Sequence, residues 1–404
     1  MDNRTVWIIN QYAGSPYHGM EFRHYYLAVN LQQLGYKVFI VSGSYSHLYA
    51  KSPAVKERYT FEKIDGLTYC WIRLPHYTAS TGIGRVINMF VFAFRLFFLP
   101  EKEMDIPSHI VVSSPSLFPI LPAYFMKKRF RAKLVFEIRD VWPLSIQVMA
   151  GMKPSHPFIL FMRFFESFGY KKSDQVVSVL PGAYKHIKKF KIRNPEIPCI
   201  PNGVDIKDYE NSEPLPEEML ALIPKNKFIV GYVGTMGKAN ALNDLASAIE
   251  LLRPDANIFF VFVGSGNEKQ SVQQLTAGNP NVLFLPSIGK RQVQSALALF
   301  DICYIGWKKD TLYEFGISAN KIFDYMYAGK PIVHAVSAYN DPIAEAQCGL
   351  SVEAENVQQI AAAIKELSSF SKEELHKMGS RGREYVISKH SYAVLAKQYS
   401  SILN

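Results

Sequence analysis

The sequence predicts an α/β protein of the doubly wound kind, with two Rossmann-like parallel-sheet halves in tandem. Three observations predict it. Short β-branched runs alternate with longer helical patterns, the order that builds parallel sheets. The alternation halts over residues 205–226, DIKDYENSEPLPEEMLALIPKN, and restarts at Lys227. A chain of 404 residues also favours two or three domains over a single core.

Taken in order, the strands expected in the first half are Val6–Asn10, Lys37–Val41, Thr68–Arg73, His109–Ser113, Lys133–Glu137, Gln175–Ser178 and Pro198–Ile200. A helix of roughly Gly19–Leu34, closed by Gly35, connects the first two. Residues 206–226 are rich in proline and charge without a strong apolar period, and read as a linker. Beyond it come strands at Lys227–Val233, Ile258–Val263, Val282–Leu285, Ile302–Ile305, Pro331–His334 and Leu350–Val352. Helices fit at Asn240–Leu252, Lys290–Leu299 and Asn320–Ala328. The segment Ser371–Asn404 is amphipathic and helical, with no strand left to pair in the second half. The expected domains are therefore 1–205, a linker at 206–226, 227–380, and a closing helix at 381–404.

Composition narrows the class. Hydrophobic residues are 48% of the chain and charged residues 20%, values of a globular protein. Four scattered cysteines form no metal or CxxC spacing, which fits a reducing cytoplasm without disulfides. The first residues run straight into a strand pattern, with no basic-then-apolar leader. Residues 1–210 hold 27 Lys and Arg against 16 Asp and Glu, a net +11, whereas the remainder holds 18 against 19. A basic first half beside a near-neutral second half suggests an anionic partner for the first. No recognition motif for nucleic acid accompanies it.

Residues 86–99, VINMFVFAFRLFFL, are very apolar but shorter than the roughly 20 residues that a spanning helix needs. As a helix this segment places Arg85, Asn88 and Arg95 on one stripe and aromatics on the rest. Two readings stay open for it: a buried core helix, or a surface that docks on a membrane. Basic clusters at Lys127–Arg129, Arg131 and Lys133, at Lys171 and Lys172, and at 185–193 accompany it.

In doubly wound sheets, ligands bind outside the carboxyl ends of the strands, so the loops there carry the chemistry. NQYAGSPYHGM, residues 10–20, offers Gly14 and Gly19 for close backbone approach and a helix start for an anion. Glu21, Arg23 and His24 would then lie in the first helical turn, facing a cleft between the halves. EIRDVWP, residues 137–143, presents Arg139 and Asp140, either to a sugar or phosphate or as a local ion pair and helix start. IPNGVD, residues 200–205, turns at Asn202–Gly203.

In the second half, GYVGTMGKAN, residues 231–240, combines glycines with Thr235, Lys238 and Asn240 as phosphate donors, but not with P-loop spacing. FVGSGNE, residues 262–268, brings Gly264 and Gly266 and suits a flat nucleobase. YEFGISANKIFDYMYAGKP, residues 313–331, sets Ser318, Asn320 and Lys321 at a helix start, the chemistry of a diphosphate site, with Asp324 one turn on for a ribose diol.

These loops, in this order, resemble the retaining family 4 glycosyltransferases of the GT-B fold, and within them the bacterial O-antigen and capsule branch. The resemblance implies a cleft between the two domains and a last helix crossing back to the first. It implies that Gly19 meets the donor diphosphate, while Thr235 and Asn240 stand where the family has an arginine and a lysine. Lys238 and Lys321 are then the substitutes for that charge. Asp324 matches the second of two family glutamates, whereas the first aligns with Gly316, with Glu314 close by but out of register. The family's His–Asp dipeptide stands here as Arg139–Asp140.

The implied activity is transfer of a sugar, N-acetylated amino sugars among the candidates, from a UDP-sugar with retention. Arg139, Asp140 and Lys321 are the candidate catalytic residues. Glu21, Arg23 and Asn202 are the candidates for the acceptor side. No Asp-x-Asp occurs, and neither metal nor cofactor is expected. The acceptor is expected to be a saccharide or a polyprenyl diphosphate-linked sugar, reached by a cytoplasmic protein resting on the inner face of the cytoplasmic membrane. The alternatives are a UDP-sugar epimerase of the same fold and a catalytically inactive membrane-associated protein that binds nucleotide sugars.

Overall fold

In the computed structural model, residues 4–77 and 82–404 are described, and the chain divides into two compact units. The first comprises residues 1–202 and 392–404, the second residues 203–391.

The first unit carries β1 (Thr5–Ile9), α1 (Arg23–Gln33), β2 (Lys37–Gly43), β3 (Tyr59–Ile64), β4 (Leu67–Ile72), α2 (Ile83–Leu96), β5 (His109–Ser113), α3 (Ile120–Phe130), β6 (Lys133–Ile138), α4 (Leu144–Ala150), α5 (Pro157–Lys172), β7 (Gln175–Ser178) and α6 (Tyr184–Ile187). Its sheet runs β3-β4-β2-β1-β5-β6-β7, parallel throughout except for β3 against β4. The strands are almost wholly apolar because helices cover both faces, so residues on each side of the pleat are buried. Strand order reverses between β1 and β5, and that switch point fixes where loops diverge at the carboxyl ends.

The second unit carries α7 (Ile206–Glu210), α8 (Glu217–Leu220), β8 (Phe228–Val233), α9 (Leu242–Leu251), β9 (Ile258–Val263), α10 (Lys269–Leu275), β10 (Val282–Leu285), α11 (Val293–Ala298), β11 (Ile302–Gly306), α12 (Asn320–Tyr327), β12 (Ile332–Ala335), α13 (Pro342–Ala346), β13 (Gly349–Val352), α14 (Val357–Ser368) and α15 (Lys372–His390). Its sheet, β10-β9-β8-β11-β12-β13, is fully parallel and reverses between β8 and β11. The last helix, α16 (Tyr392–Leu403), returns to the first unit.

Five expectations need correction. The first helix begins at Arg23 rather than near Gly19, because residues 11–22 fold into a compact loop of their own. The expected strand Pro198–Ile200 is only a single bridge from Ser178 to Cys199. An antiparallel edge strand, β3, was not expected, since its half-buried sequence YTFEKI has no clean apolar alternation.

The linker expected at 206–226 holds α7 and α8, and Tyr209, Leu215 and Met219 bury themselves in the core of the second unit. The closing helix expected at 381–404 is two helices parted at Ser391, whose backbone is extended. Residues up to His390 stay with the second unit because Gly379 and Gly382 lie flat against it. A Cβ on Gly379 would sit 1.8 Å from the carbonyl oxygen of Gly329, and one on Gly382 would sit 2.9 Å from the Cβ of Cys348.

Only α16 joins the first unit. Leu395, Ala396, Tyr399 and Leu403 are buried there with Val6, Ile8 and Leu27, and Tyr392 stacks on Tyr26 at 5.2 Å. Each large side chain buried in this way contributes roughly 1.5–3 kcal/mol, so α16 is a structural member of the unit.

Candidate functional site

In the first unit, the end of β1 is tied to the end of β5. The Asn10 amide donates to the carbonyls of Ser113 and Ser114, while its oxygen accepts from the Tyr12 N–H. The loop that follows is built backbone on backbone. Gly19 has φ +117°, and a Cβ there would lie 2.7 Å from the Ala50 nitrogen. Its own loop and residues 48–50 therefore already demand glycine, without a ligand.

Glu137, at the end of β6, is fully buried and accepts from Arg23 at 2.9 Å, His24 at 3.2 Å and the Ser113 hydroxyl at 2.8 Å. Burial pushes its carboxyl up, but the Arg23 charge and the His24 bond hold it well below the usual range. Arg23 completes the knot by donating to the carbonyls of Ile200 and Pro201. Burial also lowers the pKa of His24, which favours a neutral ring. Arg23, expected on the acceptor side, is therefore an internal clamp joining α1, β6 and the segment after β7.

Arg139 and Glu21 come together as an ion pair, which keeps Glu21 below its ordinary pKa despite burial. The Arg139 N–H also donates to Ser114 Oγ at 2.8 Å. One oxygen of Asp140 accepts from the Val141 N–H at 2.8 Å and the Ser145 hydroxyl at 2.5 Å, so it organises the turn into α4. Asn202, the last residue of this part of the first unit, is buried.

Sequence reasoning passed over Arg85 as a contact to these loops. Its guanidinium lies 5.4 Å from the Tyr12 ring and 5.9 Å from the Trp142 ring, and its Nε donates to Tyr12 Oη. It therefore links the β1 loop to EIRDVWP. Buried polar atoms at this end of the sheet, among them Gln11 Oε1, Ser116 Oγ and Arg139 Nε, have no hydrogen-bond partner among the described residues. Orphaned buried groups of this kind mark a place where a ligand or water completes the structure.

In the second unit, the loops after β8 and β9 interlock. A Cβ on Gly264 would sit 2.1 Å from the Gly234 carbonyl oxygen, and one on Gly266 would sit 2.3 Å from that of Met236. Loop packing alone therefore demands glycine at both positions, without a nucleobase. The start of α12 is fastened over the end of β8 by Tyr325, whose hydroxyl accepts from the Val233 N–H and donates to the Val233 carbonyl. That fastening brings Lys321 under Gly234, where a Cβ would lie 3.0 Å from Lys321 Cε.

Lys321 Nζ donates to Tyr232 Oη at 2.5 Å and Asn240 Oδ1 at 3.0 Å, and stands 4.2 Å from the Tyr232 ring centroid. Asn240 and Tyr232 both donate to the Thr235 carbonyl. Burial drives the Lys321 pKa down to about 7, only partly offset by the carboxylate of Asp324. Ala319, at the head of α12, supplies no side-chain cap to the first-turn N–H groups, the part of a helix that suits an anion. Ser318 lies two residues before Asn320, and Thr235 and Lys238 are exposed on the neighbouring loop. Lys321, Asn240 and Thr235 are thus brought together.

Asp324, expected at a ribose, is ion-paired with Lys290 at 2.7 Å and also accepts from the Tyr209 hydroxyl. Gly316 has φ +101°, a conformation strained for any residue with a Cβ, whereas Glu314 is exposed. A glutamate cannot simply replace Gly316 here. Asn340 pins the same loop, accepting from the Ile317 N–H at 2.8 Å and donating to its carbonyl. A cavity of about 710 Å³ lined by Ile223, Lys227, Asn257 and Phe370 lies at the amino ends of the strands, away from these loops.

The outer helices of the first unit carry the most unusual surface. On α2, Met89, Phe92, Ala93 and Leu96 enter the core, and the polar stripe also points inward. Asn88 bonds Gln11 and the Pro75 carbonyl, and Arg95 bonds the Arg73 carbonyl. The outward stripe is Ile83, Ile87, Phe90, Phe94 and Phe97, from 38% to 78% exposed. Phe125 of α3 and Leu160, Phe161 and Phe164 of α5 are likewise exposed, with Phe97–Phe125 and Phe90–Phe161 ring contacts at 5.9 Å. A water-facing helix carries polar residues on its outward stripe, and here that stripe is apolar as well. No helix among the described residues is long and apolar enough to cross a membrane.

Two Rossmann-like parallel-sheet units, with glycine loops and an uncapped helix start at the carboxyl ends of the strands, are the architecture of the GT-B class, to which glycosyltransferases belong. Residues 17–208 match the family model described as Glycosyltransferase Family 4, and residues 227–369 match Glycosyl transferases group 1. The chain belongs to the family 4 glycosyltransferases.

It is 22% identical over 320 residues to the colanic acid biosynthesis glycosyl transferase WcaI of Escherichia coli, covering 76% of this chain and 78% of that one. WaaG and HepE are among the solved structures that share the fold. WaaG, a glycosyltransferase involved in lipopolysaccharide biosynthesis, superposes with TM-score 0.66 at 15% identity over 99% of both chains. HepE of Anabaena in complex with UDP-glucose has TM-score 0.66 at 14% identity, over 99% of both chains.

Proposed function

We propose that this glycosyltransferase moves a sugar from a UDP-sugar to a lipid-linked saccharide in the assembly of a bacterial surface polysaccharide, with retention at the anomeric carbon. The observation that carries the reading is the cluster of Lys321, Asn240 and Tyr232 beside the uncapped start of α12. When the bond from the anomeric carbon to the diphosphate breaks, negative charge grows on the leaving oxygens. Lys321 and the first-turn N–H groups are placed to stabilise that charge without a metal.

The acceptor oxygen then bonds the anomeric carbon from the same face, and its proton passes to the departing diphosphate, so no protein base is needed. Asn320 and Ser318 line the diphosphate end, with Lys238 able to swing in from solvent. Asp324, sharing its carboxylate with Lys290, is assigned to the ribose. UDP is supported by the nucleotide in the solved relative HepE. The polysaccharide role is supported by the names of WcaI and WaaG.

Arg139, paired with Glu21 beside Asp140, is assigned to the acceptor end. The outward aromatic stripe of α2, extended by α3 and α5 and flanked by Lys127, Lys128, Arg129, Lys171 and Lys172, suits the anionic inner face of a membrane. Nucleotide release from a panel of UDP- and GDP-sugars, with and without a lipid-linked acceptor and EDTA, tests this reading. Acceptor-dependent release from a UDP-sugar, insensitive to EDTA, is expected. Conversion of the nucleotide sugar without acceptor would instead indicate an epimerase, and silence across the panel would sink the proposal.

A further inference from the structure

A cavity of about 630 Å³ opens beside α2 in the first unit, at the carboxyl ends of β2 and β4. Ser44 follows β2, and Arg73, Leu74 and His76 follow β4, while Val91 and Arg95 of α2 close it. Its lining is basic and apolar together. The Arg73 guanidinium is held by the Lys56 carbonyl at 3.4 Å, and the Arg95 guanidinium by the Arg73 carbonyl. The Arg95 carbonyl in turn accepts from Tyr59 at 2.8 Å, and the His76 ring lies 4.2 Å from that of Tyr45. No carboxylate pairs with either guanidinium among the described residues. Two positive groups fixed by carbonyls in a concave site of this size are prepared for a small anion rather than for internal salt bridges. The helix that supplies Val91 and Arg95 is the one whose outward stripe is aromatic, with Phe90 and Phe94 exposed beside them.

We propose that this cavity binds the phosphate or diphosphate headgroup of a membrane-borne amphiphile, with Arg73, Arg95 and His76 on the anion and the hydrocarbon running out along α2. The proposal rests on the lipid-linked acceptor reading above, and it supplies the site by which such an acceptor is held. Arg73 and His76 are exposed, so changing them should leave folding intact.

The test is co-sedimentation of the full chain with neutral phosphatidylcholine vesicles, plain or doped with a polyprenyl diphosphate, and with inorganic pyrophosphate as competitor. Wild type should bind doped vesicles about tenfold more tightly than plain ones, the effect of one lost charged hydrogen-bond partner. The double variant R73Q/H76Q should lose that increment with an unchanged melting temperature. Val91→Phe, which fills the cavity from its apolar wall, should lose it too.

An increment that persists in both variants would overturn the assignment. Pyrophosphate binding as tightly as doped vesicles would make the ligand a free phosphate and remove the lipid. A wild type that shows the increment yet releases nucleotide from no sugar donor would sink the transferase reading while leaving the cavity's role in place.

Discussion

Lys321→Met should abolish a proton uptake that accompanies donor binding. Burial holds the free Lys321 pKa at about 7, so near neutrality roughly half the molecules carry an uncharged amine. A diphosphate in contact adds negative charge and raises that pKa, and each unit of rise corresponds to about 1.36 kcal/mol of linked binding energy. The sign follows. Below about pH 7 the amine is already protonated and affinity is flat. Above it a proton must be taken up, and affinity falls by as much as about tenfold per pH unit until the bound-state pKa is reached.

Titration calorimetry with a UDP-sugar, in two buffers of different ionisation enthalpy, reads that uptake directly. Wild type should take up close to one proton at about pH 8.5 and almost none at about pH 5.5. Lys321→Met should take up none at either pH and bind at least about tenfold more weakly at low pH. Stability should move the other way. A lysine with a depressed folded pKa stabilises fully only above its unfolded value near 10.5, and that stability is lost as pH falls through about 7. At neutral pH the methionine variant should therefore melt no lower than wild type, which separates lost binding from lost fold. Affinity independent of pH across this range, or proton uptake surviving in the variant, would refute the argument.

Further outcomes follow from other contacts. Glu137→Gln leaves Arg23 buried without its counter-charge and should cost about 3–5 kcal/mol, read as a large drop in denaturation midpoint. Gly316→Ala places a Cβ at φ +101° and should cost about 1 kcal/mol or more in the same measurement. Deleting residues 392–404 uncovers Leu395, Tyr399 and Leu403 and should unfold the first unit at lower denaturant. Phe94→Glu on the outward stripe of α2 should reduce sedimentation with anionic vesicles several-fold without changing the melting temperature.

Much of the fold was legible because parallel strands buried on both faces are continuous apolar runs. IVVS after His109 and IFFVFV at 258–263 could hardly be anything else, and both strands fall where expected. β3 was illegible because an edge strand with half-buried residues keeps charges such as Glu62 and Lys63. The break at Ser391 was hidden because both flanking segments are amphipathic helices. Only tertiary packing of Gly379 and Gly382 assigns the first of them to the second unit.

At the candidate site, residue types pointed to loops that lie at the carboxyl ends of the strands but not to who partners whom. EIRDVWP stood out for Arg139 and Asp140. Its buried member, Glu137, organises Arg23 and His24, a relation between residues more than 100 positions apart that no local pattern contains. Lys321 was readable from its place at a helix start. Its neighbour Tyr232, lying inside an ordinary strand pattern, was not.

The central claim is that Lys321 and the start of α12 hold the diphosphate of a sugar donor from which a glycosyl group is transferred. Nucleotide release from UDP-sugars, measured with lipid-linked acceptor for wild type and Lys321→Ala side by side, tests it most directly. The account expects acceptor-dependent release from wild type, a product of retained anomeric configuration, and a rate at least about tenfold lower in the variant. Equal rates in the two proteins, or no release from any sugar donor, would contradict it.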